Sequence, residues 1–350
     1  MTTAVLVTGA SGFIALHIVD QLLSQGYSVV GTVRTKEKGD YVYSQFSAKY
    51  KNPKLTLEYV KDIAELDAFD NAVKNHPEVE FVLHTASPVH STTDGTPEEL
   101  FINPAVNGTV GILKAVEKYA PQVKHVVMTS SFATVRNADK AGDKSFKHTE
   151  ETWNPITRAD LNGDVMPSYS LSKTLAEKAA RELVASTSAN FTFHTVNPPF
   201  VYGPQLFEAS IANPELNFSA EKVKSVLHLP ADSKGPFDNP QVLTIDVRDV
   251  ARAHIAALSD PAKFANKRLL PTVGRSNPQR VLDTIRLKFP ELREKLPVGD
   301  PARGEKEREA KGFYYDNSKT RELLGFEFIP YETTIYDSVK QILDYEEAQV

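Results

Sequence analysis

The chain of 350 residues has no cysteine. Disulfides, a thiolate nucleophile, iron-sulfur clusters and Cys-ligated zinc are therefore excluded, and with them secreted mini-scaffolds and zinc-thiolate alcohol dehydrogenases. Positive charge is not in excess either. Forty Lys and Arg face 45 Asp and Glu, a net charge of -5, which argues against a general binder of nucleic acid or anionic membrane. No apolar run reaches the roughly eighteen residues of a membrane span. The start, Met-Thr-Thr-Ala-Val-Leu-Val-Thr-Gly, lacks the basic and apolar regions of a signal peptide, so a soluble cytoplasmic protein is expected. Low-complexity segments and fixed-period repeats are also missing, which argues against solenoids and propellers. The nine His form no metal-like spacing with a carboxylate, and no metal is expected.

What the sequence does contain is an alternation of short β-branched runs with amphipathic stretches. The runs are Ala4 to Val7, Ser28 to Val33, Leu55 to Val60, Glu80 to His84, His125 to Thr129 and Phe191 to Val196. Continuous apolar strands alternating with helices predict a parallel sheet covered on both faces, a doubly wound α/β Rossmann fold. Any ligand then sits along the edge formed by the strand C-termini. Beyond Asn197 the texture changes, with Pro198, Pro199, Pro204, Pro214 and scattered aromatics. Residues 1–197 are therefore expected to form the dinucleotide-binding domain. Residues 198–350 are read mainly as a smaller substrate-binding lobe with C-terminal helices. A strand at Leu243 to Ile245, followed by Asp246-Val247-Arg248-Asp249-Val250-Ala251, is expected to re-enter the first domain near 241–260. A final helix from about Thr333 to Tyr345 reads as packing.

The first strand runs into Thr8-Gly9-Ala10-Ser11-Gly12-Phe13-Ile14-Ala15, which opens a helix. Gly9 and Gly12 allow a tight turn and close backbone approach to a pyrophosphate at the positive helix N-terminus, and small Ala15 allows close helix-strand packing. Thr8, Gly9, Ser11, Gly12, Phe13 and Ile14 are the candidate contacts. An acid after the second strand would favour NAD. Arg34 stands there instead, followed by Lys36 and Lys38, and a guanidinium can grip a 2'-phosphate with paired charge-assisted hydrogen bonds. NADP(H) is the expected cofactor, with Arg34 and Lys38 as contacts and a solvated basic loop as the bland alternative. Asp62 and Ile63 after the third strand are candidates to cap the adenine. Thr85, Ala86 and Ser87 after the fourth, and Thr129 ending the fifth, are candidates to line the ribose and pyrophosphate.

Tyr169-Ser170-Leu171-Ser172-Lys173 places a phenol and an ammonium one helical turn apart. The same spacing recurs at Tyr50/Lys54, Tyr315/Lys319 and Tyr336/Lys340, so context must separate them. Pro53 forbids a helix across the first, Tyr315 precedes a cap at Asp316, and Tyr336 lies in the terminal helix. Only Tyr169 opens a helix that follows the strand ending Met128-Thr129-Ser130-Ser131. Leu171, Leu175, Ala179 and Leu183 are expected to form a packing stripe opposite the pair. Such a pair suits carbonyl reduction. Hydride arrival leaves an alkoxide that needs a proton, and bringing a phenol from a pKa of ~10 to near 7 takes roughly 4 kcal/mol, which a neighbouring cation helps supply. Tyr169 and Lys173 are thus candidates both for catalysis and for cofactor contact. Ser131 is the candidate to hydrogen-bond the substrate oxygen, with Ser130 as its rival. Asn107 reads either as the holder of a proton-relay water or as a turn former before Gly108.

Taken together, Thr8-Gly9-x-x-Gly12, Ser131, Tyr169-x-x-x-Lys173 and the 246–251 segment resemble an extended short-chain dehydrogenase/reductase over almost the whole chain. Val-Leu-His-Thr-Ala-Ser-Pro at 82–88, Pro-Ala-Val-Asn-Gly at 104–108 and Asn-Pro-Pro-Phe-Val-Tyr-Gly-Pro at 197–204 resemble the branch of dihydroflavonol, cinnamoyl-CoA and yeast carbonyl reductases. Phe-Ile-Ala-x-His-Ile-Val-Asp at 13–20, Leu-Asp-Ala-Phe-Asp at 66–70 and Glu-x-x-Trp-Asn-Pro at 150–155 are similar to the fungal NADPH-dependent methylglyoxal/isovaleraldehyde reductases. The resemblance implies NADPH-dependent reduction of aldehydes, α-dicarbonyls and ketones. It assigns Pro198, Phe200 and Val201 to the nicotinamide end of the cofactor, and Phe132 and Tyr202 to the substrate pocket, with core packing as the alternative for each aromatic. Phe132 stands where related chains often have Tyr. Family members occur as monomers and dimers, which leaves a homodimer open. Two rivals stand beside this reading: a sugar-nucleotide epimerase or dehydratase on the same scaffold, and a non-catalytic NADP-sensing regulator.

Overall fold

The computed structural model describes residues 3–87, 95–186, 190–212 and 216–349. Pro88 and Pro214, named above, lie outside them. In chain order the elements are β1 (Ala4–Thr8), α1 (Phe13–Ser24), β2 (Ser28–Val33), α2 (Lys36–Lys49), β3 (Leu55–Tyr59), α3 (Asp70–Lys74), β4 (Val79–His84), α4 (Asn103–Tyr119), β5 (His125–Thr129), α5 (Val165–Ser186) and β6 (Thr192–Val196). There follow β7 (Phe200–Tyr202), α6 (Phe218–Leu227), β8 (Val242–Asp246), α7 (Val247–Ile255), α8 (Pro261–Phe264), β9 (Arg268–Leu269), β10 (Gly274–Ser276), α9 (Pro278–Lys288), α10 (Pro301–Lys311), α11 (Ser318–Leu324) and α12 (Tyr331–Glu347).

Seven strands form one parallel sheet in the order β3-β2-β1-β4-β5-β6-β9. The expected doubly wound Rossmann sheet is present. Its strands carry apolar side chains on both faces, as β1 illustrates. Val5 and Val7 join the core shared with α1 and α7, while Ala4 and Leu6 join the core under α4 and α5. A sheet buried on both faces cannot alternate apolar with polar, which is why its strands read as unbroken apolar runs. Strand order reverses between β1 and β4, so a crevice opens beyond their C-terminal ends.

The second sheet has the order β10-β8-β7, with β8 parallel to β7 and antiparallel to β10. It carries a lobe whose core is built from α6, α9 and α12, with Leu282, Ile285, Ile335 and Val339 at its centre. The structure divides the segment expected to re-enter the first domain. Strand β8 belongs to the lobe sheet, because the free edge of β6 is occupied by the two-residue β9. Helix α7 does return and packs on α1 through Val247, Val250 and Ala251. Among the described residues no helix is long and apolar enough to cross a membrane.

The segment Asp246 to Ala251 is the joint between the two parts. Asp246 caps α7 by accepting from the Arg248 amide at 2.8 Å, pairs with the Arg248 guanidinium at 2.7 Å, and accepts the Thr334 hydroxyl of α12 at 2.8 Å. Asp249 accepts the Ile329 amide at 2.6 Å. Burial pushes the Asp249 carboxyl up to about 6, against the Ile329 amide and with the help of the Asp246 charge. A carboxyl raised in the folded state stabilises when protonated and weakens the fold once ionised. Asp249→Asn keeps an oxygen for Ile329 and removes the buried charge, so at neutral pH it should be more stable than the native chain by up to about 3 kcal/mol. Urea unfolding should show the gap opening as pH rises from about 4 to about 6, then holding constant. A gap that widens on acidification would overturn this account.

Candidate active site at the C-terminal edge of the sheet

The loop after β1 is shaped by Gly9, whose φ of 67° lies in the left-handed region and whose added Cβ would sit 3.0 Å from Ala86 Cα. A side chain at 9 would both strain the turn and push β1 and β4 apart. Thr8 fastens the same two strand ends. Its hydroxyl is hydrogen-bonded to His84 Nδ1 at 2.8 Å and accepts the Thr85 and Ala86 amides at 3.1 Å each, while Thr85 Oγ1 donates to the Thr8 carbonyl at 2.5 Å. Thr8 is fully buried, so it positions the loop and offers no surface to a ligand. Gly12 precedes α1 with no side-chain cap, leaving the first-turn amides open beside Ser11, Phe13 and Ile14.

Arg34 and Lys38 are exposed beyond β2 and make no ion pair or side-chain hydrogen bond among the described residues, whereas Lys36 is tied to Asp40 at 2.6 Å. Asp62 accepts the Ala64 amide at 2.9 Å in a turn after β3, on the same edge, and Ile63 packs against α4 at Gly108. Asn107 is not a turn former. It lies inside α4 and donates to the Ala64 carbonyl at 3.0 Å. A glycine cradle that a Cβ would fill, an uncapped helix N-terminus and two uncommitted cations fit a phosphorylated dinucleotide.

Along the same edge, α5 carries Tyr169 and Lys173. The Tyr169 phenol lies next to the Ser131 side chain; burial raises the phenol's pKa and Ser131 opposes this. Lys173, 3% exposed, donates to the Thr129 carbonyl at 2.8 Å and reaches Ser87 Oγ at 3.5 Å. Burial pulls its ammonium down to about 8, with Glu177 opposing. The Thr129 side chain faces the other way, bonded to His254 Nε2 at 2.7 Å. Phe132 N donates to the Pro198 carbonyl at 2.9 Å, which brings the segment after β6 next to Ser131.

The two serines differ in their tie to Glu177, a residue not among the sequence candidates. Ser130, 3% exposed, donates to Glu177 Oε2 at 2.6 Å, so its hydroxyl is committed. The Ser131 hydroxyl accepts the Ala133 amide at 3.1 Å and keeps Tyr169 within reach. Glu177 also accepts from Thr134 at 2.9 Å, Asn197 at 2.8 Å, Arg181 at 3.1 Å and Arg268 at 2.7 Å. Burial alone would raise this carboxyl, yet the two guanidinium groups hold it at about 2. The signal was present in the spacing, since 169, 173 and 177 recur every fourth residue. It was obscured by an expected leucine stripe. The fully buried face includes Lys173, Ala176, Glu177 and Ala180, and Leu175 and Leu183 are only half-buried, because the small alanines let α5 lie close on the sheet.

The two expected pocket residues are both buried. Tyr202, 3% exposed, is sunk in the lobe core beside Ile211 and Val223. Phe132, 6% exposed, lies in a small cluster with Val135, Leu243 and Leu270, edge-on to His148 and Phe313 at 5.6 and 5.8 Å. Val201 is core, and Phe200 is half-buried against Phe218 at 5.9 Å. The other Tyr/Lys spacings serve packing: Tyr50 bonds Asp20 at 2.8 Å, Tyr315 bridges to His148, and Tyr336 stacks on Phe289 at 5.2 Å.

A Rossmann sheet with a glycine turn at its switch point and a Ser-Tyr-Lys grouping on the adjoining edge defines a dinucleotide-dependent enzyme scaffold of the short-chain dehydrogenase/reductase type. The NAD dependent epimerase/dehydratase family matches residues 5–270, and the chain belongs to it. It is 41% identical over 349 residues to the NADPH-dependent methylglyoxal reductase GRE2 of Saccharomyces cerevisiae, covering 98% of this chain and 99% of that protein. The crystal structure of yeast methylglyoxal/isovaleraldehyde reductase Gre2 complexed with NADPH superposes with a TM-score of 0.91 at 41% identity, covering 99% of each chain. Gre2 from Candida albicans in complex with NADPH gives a TM-score of 0.91 at 39% identity, with 98% of this chain and 99% of that chain covered. The family and fold expected from the sequence are thereby borne out, and the expected NADP(H) agrees with these relatives.

Replacing Glu177 by Gln leaves buried Arg268 without its counter-charge, and urea unfolding should show a loss of about 3 kcal/mol or more. A loss under about 1 kcal/mol would mean that the network does not hold the site together.

Proposed function

We propose that this chain is an NADPH-dependent carbonyl reductase that converts aldehydes, α-dicarbonyls and ketones to alcohols, with Tyr169 as general acid. The observation that carries this reading is the placement of Ser131 beside Tyr169, with the Lys173 ammonium, anchored on the Thr129 carbonyl at 2.8 Å, one turn along the same helix. Bound NADPH supplies the hydride. The residues of this chain manage the oxygen. Ser131 donates a hydrogen bond where negative charge grows, and Tyr169 gives up its proton to the alkoxide. Lys173 stabilises the phenolate left behind, and its position against the Thr129 carbonyl fixes where that charge sits. Gly9, Gly12 and the first turn of α1 hold the pyrophosphate, and Arg34 with Lys38 holds the 2'-phosphate.

The Saccharomyces cerevisiae relative is named for methylglyoxal, which makes methylglyoxal the first substrate to try, followed by branched aldehydes, diketones and aryl ketones. NADPH oxidation followed by absorbance is the assay. An epimerase of this family is disfavoured by Arg34, which stands where an acid would hold the ribose of NAD. NADPH binding without turnover across the whole panel would favour the sensing regulator instead.

Tyr169→Phe should lower kcat by about a hundredfold or more while NADPH binding persists; a near-native rate would overturn the assignment of the acid. Arg34→Ala should raise KM for NADPH about tenfold and leave KM for NADH nearly unchanged, and equal changes would refute the 2'-phosphate role.

A further inference from the structure

A cavity of about 710 Å³ opens in the lobe, where β10, α9, α10 and the chain from Phe313 to Ser318 meet, with Lys147 on its rim. Ser131, Tyr169 and Lys173 do not line it. Five cations do: Lys147, Arg275, Arg280, Arg308 and Arg321. The lining carboxylates are fewer, Glu305, Glu309 and Asp316. In a protein with more acids than bases, a wall with surplus cations needs a reason.

The cations are not equally engaged. Arg275 is paired with Glu309 and stacked over Tyr314 at 4.5 Å, and Arg280 is paired with Glu332 at 3.1 Å and stacked over Tyr331 at 4.0 Å. These two are held in place before any ligand arrives. Arg321 has one ion pair among the described residues, to Glu327, 3.8 Å away and 99% exposed, and is otherwise held by neutral groups, donating to Asn317 Oδ1 at 3.3 Å and the Thr272 carbonyl at 3.4 Å and lying 4.7 Å over the Phe328 ring. Arg308 and Lys147 have no ion pair among the described residues. The one side-chain hydrogen bond from the Arg308 guanidinium goes to the neutral Asn277 Oδ1 at 3.2 Å. Burial and the neighbouring Arg280 charge push the Arg308 pKa down, while Glu305, Tyr331 and Asp283 act more weakly in the opposite sense.

We infer that this cavity is a second anion site, for a small phosphorylated molecule, with Arg308 at its centre and Lys147 and Arg321 completing it. The four guanidinium groups come from four elements, β10, α9, α10 and α11, which meet around the cavity. A tetrahedral phosphate presents oxygens in three dimensions and can use such a set, whereas a carboxylate presents two oxygens in one plane. Pre-held Arg275 and Arg280 reduce the ordering that binding requires. Lys147 belongs to the connection between β5 and α5, so an occupant would bridge the lobe and the Rossmann part.

The test is calorimetric titration of the NADP+-saturated protein with inorganic pyrophosphate, with citrate as comparator at matched ionic strength. Saturating NADP+ fills the glycine loop, so the heat reports a separate site. Pyrophosphate should bind saturably at one site per chain. Arg308→Gln should weaken it about tenfold or more, and Lys147→Gln by a smaller factor, while both retain the native rate of carbonyl reduction. Lys147 is exposed, so its variant decides the matter even if Arg308→Gln fails to fold. Absence of saturable binding, binding unchanged in the variants that fold, or citrate bound as tightly as pyrophosphate would each overturn the inference.

Discussion

Glu177 is a carboxylate without solvent, and a charge in that position is tolerable only if every partner stays in place. Its partners come from four parts of the chain: Ser130 and Thr134 after β5, Thr195 and Asn197 along β6, Arg181 on α5, and Arg268 on β9. Satisfying them fixes the rotation of α5 about its own axis. Lys173 and Tyr169, one and two turns earlier, are then carried to the sheet edge with little freedom to turn away. The same network removes Ser130 from the site and leaves the next hydroxyl, Ser131, beside the phenol.

Arg268 has a second duty, since it reaches the carbonyls of Glu150 and Thr152 at 3.0 and 2.6 Å and lies 3.9 Å over the Trp153 ring. The two-residue β9 thus ties the long connection before α5 to the main sheet. The lobe is joined through a different pair of acids, Asp246 and Asp249, which bind α12 and the segment before it. Buried carboxylates at both joints add directional contacts to the apolar packing there.

Charge is distributed in a way that the net value conceals. Cations without an ion pair among the described residues stand at Arg34 and Lys38 and again at Arg308 and Lys147. Both places suit an anion. They differ in construction: the first is exposed at the end of β2, the second is walled by stacked arginines and aromatic rings.

Six strands of the large sheet were legible because strands buried on both faces must be apolar throughout, and the glycine turn because a left-handed φ and close approach to Ala86 exclude a side chain. The Tyr169 and Lys173 spacing was legible for the same kind of reason, as local helical geometry places residues four apart on one face. The sheet membership of β8 was not, since a strand carries no record of its partner and β9 is too short to leave a pattern. Nor was the fate of Phe132 and Tyr202, because an aromatic ring suits a pocket wall and a core equally until its neighbours are known. The sequence by itself therefore determined what depends on adjacent residues: strands, helix faces, the phosphate turn and the family. Tertiary structure alone decided what depends on distant partners. It tied Ser130 to Glu177 and set the rotation of α5, because each of these follows from satisfying a buried charge or polar group with residues remote in the chain, and it brought the lobe cations together from four separate elements.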